Sequence, residues 1–436
     1  MNAMAQKNTA WMVILFMTIL PVLRWAQISP LEYRFLDFGA TMGSAGQITA
    51  LMGMVLFSIN LILSGRFKVL DRSMHGLVDV YNKHHIVGAI SFSLLLFHPL
   101  FLALRFMPIS LREAALFLLP GQNQAINYGI ISLLLFILLI VFTFFASLGY
   151  KRWKISHTFM ILVAFFAILH SFRTTSDVSR DPLLRSYILG LAFIGFASAF
   201  YQAFLSKFIR KKYIYVVEKV SKVGPGIVEI EMSPKNRRMT FEAGQFIFIR
   251  FSSKIVGNEV HPFSISSGED DPNLSVSIKS LGDFTKNAAG IEIGSEAAIE
   301  GPYGKFSRRN SASKDQIWVA GGIGITPFLS MARSLKDDDY RIDLFYSVKS
   351  VEEAAFLNEL EEISRSHPGF KVISWISNDK GFLSCNAISE ISLNFSDKDI
   401  FLCGPPVFME CIHAQLIGLD IPESRIHWEI FNFSPK

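Results

Sequence analysis

Five histidines sit where an imidazole is costly to bury. The stretch "KISHTFMILVAFFAILHSFRTT", Lys154 to Thr175, would read as a membrane span but for His157 and His170. A second stretch, "NKHHIVGAISFSLLLFHPLF", repeats the oddity with His84, His85 and His98. An ionisable residue inside a span points to function, because an isolated one is expensive in hydrocarbon. Each stretch has one histidine near one end and another about four turns on, roughly 20 Å away at ~1.5 Å per residue. One further span lies between the two stretches, so both run the same way through the membrane. Side by side they offer two imidazole pairs, one near each face, which is the geometry for two six-coordinate b-type haems stacked across a bilayer. The alternative is a set of interfacial or helix-bonding histidines, which matched pairs on two spans disfavour.

The spacing is imperfect. His84 to His98 falls about 40° short of whole turns, whereas His157 to His170 leaves about 140° at ~100° per residue. Tilt, a π-bulge or different haem flanks must absorb that difference. His84 is preferred over His85 as the inner ligand because Gly88 lies one turn later and leaves room for a flat macrocycle; His85 stays open.

A second chemical signal is "IWVAGGIGITPFLSMARSL": an apolar strand, a turn with Gly321, Gly322 and Gly324, and a helix opened by Thr326 and Pro327. Such a turn lets backbone N–H groups at a helix start approach a pyrophosphate.

These residues need elements to position them. The chain has 436 residues, 50% of them hydrophobic, and a mean hydropathy of +0.35, too apolar for an ordinary soluble protein. Charge-free stretches at 8–23, 38–65, 86–104, 114–150, 155–172 and 186–206 give six candidate spans. The first is short and carries Pro21 near Arg24, and it reads as a span rather than a secretory leader. With the amino terminus inside, the inner segments hold Lys7, Arg66, Lys68, Arg72, Lys83, Lys151, Arg152, Lys154, Lys207, Arg210, Lys211 and Lys212, and the outer loops hold fewer basic residues. The positive-inside rule then puts both termini and the soluble half in the cytoplasm, beneath a plasma membrane that in a bacterium is the inner one. Cys385, Cys403 and Cys411 all lie in that half, as reduced thiols would. The net charge of +5 reflects topology and gives no reason to expect nucleic acid as a partner.

From Tyr213 onward, "YIYVVEKV", "GIVEIEM" and "QFIFIRF" suggest strands of a small barrel. After the glycine turn come strand "RIDLFYSV", helix "VEEAAFLNELEEIS", strands "FKVISWIS" and "DIFLCGPP", and helix "VFMECIHAQLIGL". That alternation implies a parallel sheet that binds ligand at its carboxyl edge. The expected architecture is an all-α six-span bundle over 1–210, a β-barrel over 211–312 and an α/β parallel-sheet domain over 313–436.

The motifs "HPFSISS", "GDFT", "GPYG", "GGIGITPF", "CGPP" and "WEIFNF" occur in the order of the ferredoxin–NADP reductase-like dehydrogenase domain. Preceded by six spans with paired histidines, the chain resembles the NADPH oxidase and ferric reductase superfamily in its compact bacterial form. The resemblance implies FAD, NADPH (with NADH open) and two b-type haems as cofactors. It assigns His84 with His157 to the inner haem and His98 with His170 to the outer. His261, Pro262, Phe263 and Ser264 would hold the flavin, with Gln245 and Phe246 lining the same site. Gly282, Asp283, Phe284 and Thr285 would wrap the FAD pyrophosphate. Gly321, Gly322, Gly324, Thr326 and Pro327 would cradle the dinucleotide, with Cys403, Gly404, Pro405 and Pro406 near the nicotinamide. An aromatic covering the isoalloxazine would be Phe433, or alternatively Phe431.

Lys349 and Ser350 follow the second dinucleotide strand, and a cation with a hydroxyl suits the extra phosphate of NADPH, though Glu352 and Glu353 lie close by. The implied activity is electron transfer from NADPH to an acceptor outside the cytoplasm, with dioxygen giving superoxide first, a ferric chelate second, and relay to a protein partner third. Arg105, Arg112, Arg173, Arg180 and Arg185 in the outer loops favour a small neutral or anionic acceptor. No EF-hand loop or proline run for an SH3 partner is visible, so constitutive activity without an obligatory regulatory subunit is expected.

Overall fold

The computed structural model describes residues 3–74, 76–146, 150–210, 212–311, 313–336 and 340–428. They form two units, Ala5–Ile209 and Arg210–Asn432.

The first unit contains six helices long and apolar enough to cross a membrane: α1 (Thr9–Ile28), α2 (Phe38–Leu63), α3 (Leu77–Leu104), α4 (Gln124–Phe144), α5 (Arg152–Arg173) and α6 (Pro182–Leu205). Side-chain oxygens set three of the starts, with Asp37 accepting from the Ala40 amide, Asn123 from Ala125 and Asp181 from Leu184. Helix α2 is the central one, and small residues bring its neighbours close. A Cβ on Gly46 would lie 2.6 Å from Leu102 of α3, and one on Gly53 2.8 Å from Leu95. On α6, a Cβ on Gly195 would lie 2.8 Å from the Ser58 carbonyl oxygen. Without a hydrophobic drive between helices in lipid, such close approach and bonds like Ser91 Oγ to the Gly53 carbonyl, 3.0 Å, provide the association.

Helix α5 is interrupted at Phe159. The Phe159 amide donates to the Ser156 carbonyl at 3.0 Å, and the Phe159 carbonyl accepts from Leu162 at 2.9 Å, both three residues apart. Such turns advance about 20° more per residue than an α-helix. The thirteen-residue spacing falls short of four full turns, so tightening rotates His170 back toward the face of His157. A π-bulge would turn it the other way.

The second unit begins with an antiparallel sheet of order β4-β3-β6-β1-β2-β5, curled around an apolar core. Its strands are β1 (Tyr213–Gly224), β2 (Ile227–Pro234), β3 (Phe246–Phe251), β4 (His261–Ser264), β5 (Leu274–Lys279) and β6 (Glu296–Tyr303). A parallel sheet of order β11-β10-β7-β8-β9 follows, from β7 (Asp315–Gly321), β8 (Arg341–Val348), β9 (Phe370–Ile376), β10 (Asp399–Cys403) and β11 (Ile426–Trp428). Strands β7 and β10 are buried on both faces, which is why they read as unbroken apolar runs. Trp318, Ala320 and Phe401 face α7 (Ile325–Arg333) and α8 (Leu357–Ser366). Ile317, Val319 and Leu402 face α9 (Cys385–Ile391) and α10 (Pro406–Gly418).

Two elements differ from the sequence expectation. The helix expected from Val351 starts at Leu357, because Ser350 precedes a single 3₁₀ turn and Phe356 adopts φ +64°. Helix α9 was not expected; its seven residues are too few to show a helical period.

The packing predicts that Gly195→Leu separates α2 from α6 and destabilises the bundle by about 1–3 kcal/mol. A lowered melting temperature in detergent is the expected reading, and an unchanged one would contradict the close approach.

Candidate functional site

Helices α3 and α5 bring the four histidines together in two pairs. The His84 and His157 rings have centroids 6.3 Å apart, and so do those of His98 and His170, with planes inclined 74° and 63°. Two imidazole nitrogens that each sit about 2 Å from one first-row metal ion would set their ring centroids about 6 Å apart. The structure therefore has room for one iron per pair. Among the described residues no group of three or more His, Cys, Asp or Glu side chains could hold a metal ion. A pair suits a macrocycle that already ligates its iron and needs axial ligands only.

Backbone carbonyls orient the rings. Nδ1 of His84 lies 3.0 Å from the Asn60 carbonyl, Nδ1 of His98 2.8 Å from Gly46, and Nδ1 of His170 2.7 Å from Ala125. Each bond leaves Nε2 as the free nitrogen and makes it a better donor. His84 rather than His85 faces His157; His85 is exposed, its ring 5.8 Å from that of His84. Gly88 serves differently from expectation, since a Cβ there would lie 2.9 Å from the Asn60 side chain. It makes room for α2 to deliver the carbonyl that His84 uses. Gly129 of α4, which the sequence did not single out, makes room for the His170 ring, for a Cβ there would lie 2.8 Å from Nδ1.

In the barrel, β4 carries His261, Pro262, Phe263 and Ser264, all half-buried, and pairs with β3 from Phe246↔Ser264 to Ile249↔His261. The one-turn helix Asp283–Lys286 meets this strand through the His261 and Phe284 rings, 4.1 Å apart. Thr285 Oγ1 accepts from the Leu281 and Gly282 amides at 2.8 Å, which shapes that turn, and a Cβ on Gly282 would meet only open space. Asp283 is exposed. Phe284 and Phe246 point inward instead: Phe284 joins the barrel core, and Phe246 is fully buried edge-on to Phe248. Gln245 ties this end of β3 to the GPYG turn through the Gly304 carbonyl, 3.0 Å away.

In the parallel sheet, β7 continues to β8 and β9 on one side while β10 returns to its other side. The crevice at the carboxyl ends of β7 and β10 is therefore a topological switch point, where open α/β sheets bind ligand. Both glycine motifs lie there. A Cβ on Gly324 would be 2.2 Å from the Cys403 carbonyl oxygen, and one on Gly404 3.1 Å from the Gly321 Cα, so only glycine permits this approach. Gly322 adopts φ +53°. Thr326 is buried with Oγ1 donating to the Ile323 carbonyl at 2.9 Å, beside buried Pro327. Cys403 is buried too, and Pro405 and Pro406 open α10. Burial pushes the Cys385 thiol up to about 12, so it stays protonated at neutral pH. Lys349 is exposed just past β8; the hydrogen bond from Ser350 holds the Glu352 carboxyl below its usual range and occupies that hydroxyl. Phe433 and Phe431 lie outside the described residues.

One residue near this crevice escaped the sequence reading. Lys279, at the end of β5, has its Nζ 3.9 Å from where a Gly322 Cβ would be. Nothing local in "SVSIKS" signals this; it follows from the sheet that carries Lys279 to the glycine turn.

The chain matches a family model described as a ferric reductase like transmembrane component over residues 49–168, an FAD-binding domain over 213–307, and an oxidoreductase NAD-binding domain over 318–414. A multi-pass membrane oxidoreductase that binds FAD and a nicotinamide dinucleotide is the class these define. With the three domains in this order, the chain belongs to the ferric reductase and NADPH oxidase superfamily in its compact form.

Its dehydrogenase half is similar to the ferredoxin reductase component of a 3-ketosteroid-9-alpha-monooxygenase from Mycobacterium tuberculosis, 28% identical over 45% of this chain and 56% of that one. It is also similar to a flavohemoprotein from Rhizobium meliloti, 27% identical over 44% of this chain and 53% of that one. The chain thus spans about half the length of the curated relatives it matches. A solved flavohemoglobin from Malassezia yamatoensis with bound FAD and heme shares the fold at 18% identity, a TM-score of 0.51, and coverage of 90% of this chain and 97% of that one.

The position of Lys279 predicts that Lys279→Met raises KM for the nicotinamide substrate about tenfold, ~1.4 kcal/mol, with kcat little changed. Steady-state kinetics with a soluble dye acceptor test this, and an unaltered KM would remove Lys279 from the site.

Proposed function

We propose that this protein moves electrons across a membrane, from cytosolic NADPH through FAD and two bis-histidine haems to dioxygen on the far side, which leaves as superoxide. The observation that carries the reading is the same 6.3 Å imidazole separation in both pairs of α3 and α5. FAD, when bound, supplies the link between a two-electron hydride donor and one-electron haem acceptors.

The chain's own residues have separable tasks in this reading. His84 and His157 would hold the inner haem, and His98 and His170 the outer one. The carbonyls of Asn60, Gly46 and Ala125 fix the tautomer of three of them. Gln245 and His261 to Ser264 seat the flavin ring, and the Gly282 turn takes its pyrophosphate. Phe433, with Phe431 as the alternative, covers the isoalloxazine. The crevice of Gly321, Gly322, Gly324 and Cys403 to Pro406 orients the nicotinamide, with Thr326 and Pro327 starting the helix beneath its phosphates. Lys349 faces the extra phosphate of NADPH. The inner orientation of the dehydrogenase half rests on the basic residues at the His84 and His157 end, among them Lys68, Arg72, Arg152 and Lys154. The domains proposed are 1–210, 211–312 and 313–436.

A ferric chelate of net negative charge is the second reading for the acceptor. Arg105 and Arg185 at the outer end of the bundle lie over the Phe106 and Phe172 rings, without a carboxylate partner among the described residues. They would attract an anion, whereas dioxygen needs only access to the haem edge.

Two outcomes are expected. Purified protein supplied with NADPH and dioxygen reduces cytochrome c in a reaction that superoxide dismutase suppresses; reduction insensitive to the dismutase would move the assignment to the chelate. His170→Leu removes one of two haems from the reduced-minus-oxidised spectrum and stops superoxide output while flavin reduction persists. Full haem content in that variant would defeat the ligand assignment.

A further inference from the structure

The cysteines of the dehydrogenase half have different surroundings. Cys403 is buried at the end of β10 and Cys385 at the start of α9, whereas Cys411 is exposed on α10. One side chain joins the last two. Gln415 Oε1 accepts from the Cys385 amide at 2.9 Å, and Gln415 Nε2 donates to Cys411 Sγ at 3.3 Å. The Cys385 thiol itself donates to the carbonyl of Ile412, the residue after Cys411, at 3.6 Å. The two thiols are thus neighbours across the contact of α9 with α10. They also sense each other's charge, since burial first and Cys411 second push the Cys385 thiol up to about 12. Among the described residues no third ligand joins them to make a metal site. An accessible thiol beside a buried one is the arrangement in which the first sulfur is oxidised and the second resolves it. The helix that carries Cys411 also walls the dinucleotide crevice, for its Phe408 ring would lie 2.8 Å from a Cβ on Gly321 and 3.0 Å from one on Gly404.

We propose that Cys411 and Cys385 form a reversible disulfide when the dehydrogenase half meets hydrogen peroxide, and that the bridge weakens nicotinamide binding by drawing α10 against α9. The inference goes beyond the electron-transfer reading and does not depend on haem. In the first step the Cys411 thiolate attacks one peroxide oxygen; the S–O bond forms, the O–O bond breaks, and the hydroxide released takes up the thiol's proton as water. In the second the Cys385 sulfur attacks Cys411; the S–S bond forms, the S–O bond breaks, and the oxygen leaves as water with the Cys385 proton. Two thiols give up two electrons, and one peroxide becomes two waters. Conversion of Cys411 to its sulfenic acid removes the neighbouring charge that opposes proton loss from Cys385, which orders the steps. Gln415 has to release Cys411 before the sulfurs can meet at about 2 Å. A dithiol reductant reverses the bridge.

The test uses the full chain purified in detergent, reduced, freed of reductant, exposed to hydrogen peroxide and then alkylated. Mass spectrometry of the unreduced digest is expected to show Cys385 joined to Cys411, with Cys403 alkylated only after unfolding. KM for NADPH with a soluble dye acceptor should rise about threefold and return to its starting value with dithiothreitol. In Cys385→Ser the reaction should stop at a Cys411 sulfenic acid that dimedone captures, and in Cys411→Ser peroxide should leave both Cys385 and KM unchanged. Intact thiols, Cys411 oxidised to the sulfinic acid beside free Cys385, or a Cys411 bridge between two copies would each overturn the pairing. A Cys385–Cys411 bridge with unaltered KM, or a peroxide-sensitive KM in Cys411→Ser, would overturn the link to the crevice.

Discussion

The constraint on which the bundle depends is that an imidazole left polar and alone in a low-dielectric interior costs free energy. Each ring has two nitrogens, and for three of the four rings α2 and α4 answer one of them with main-chain carbonyls at Asn60, Gly46 and Ala125. Helical carbonyls are normally committed to their own helix, so an extra donor must approach closely to share the second lone pair. That is why glycines recur at these contacts. Gly46 supplies an acceptor and also lets Leu102 pack against it, Gly88 admits Asn60, and Gly129 admits the His170 ring. The other nitrogen of each pair is then directed across a gap of constant width. The bundle's small residues and its histidines are thus one design, in which close backbone approach provides the hydrogen bonds that aim the rings.

The dehydrogenase half solves a different problem by the same means. A dinucleotide must come within hydrogen-bond reach of backbone amides, and side chains would prevent it. Gly321, Gly324 and Gly404 are crowded by Phe408, the Cys403 carbonyl and each other, so the ends of β7 and β10 close into one narrow crevice. The parallel sheet makes this possible by reversing its strand order between those strands, which run parallel. Across the same unit, Arg333 of α7 bonds Glu229 of β2 at 2.8 Å and Glu359 of α8 at 2.6 Å, joining the barrel to the parallel sheet. Burial opposes that guanidinium's charge, but the two carboxylates outweigh it and raise its affinity for the proton. This ion triad ties β2 of the barrel to α7 and α8 of the parallel-sheet domain.

How much of this was legible in the sequence depends on the range of the interaction. The six spans, the strands and the glycine turns were readable because each is set by a local period or a backbone requirement. The histidine pairs were readable because their spacing repeats on two segments. The partners of their Nδ1 atoms were not, since a carbonyl carries no residue identity and the bonds span 24, 52 and 45 positions. Nor was the 3₁₀ step at Phe159, which takes up part of the unequal His157 to His170 spacing and which no residue type there demands. Lys279 escaped for the same reason as the carbonyls: only the sheet topology brings it to Gly322.

In the proposed reading, the two pairs also account for two redox centres in place of one. A hydrocarbon core is about 30 Å thick, and the histidines on α3 lie roughly 20 Å apart along the axis at ~1.5 Å per residue. Two haems at those depths would divide the core into short gaps. Placing both ligand sets on the same two helices makes their spacing a property of helix rise rather than of loop conformation. A single helix pair therefore fixes both depth and separation, while α2 and α4 orient three of the rings. The difference between the pairs then lies only in what anchors each ring: carbonyls for three, and a stacked indole for His157.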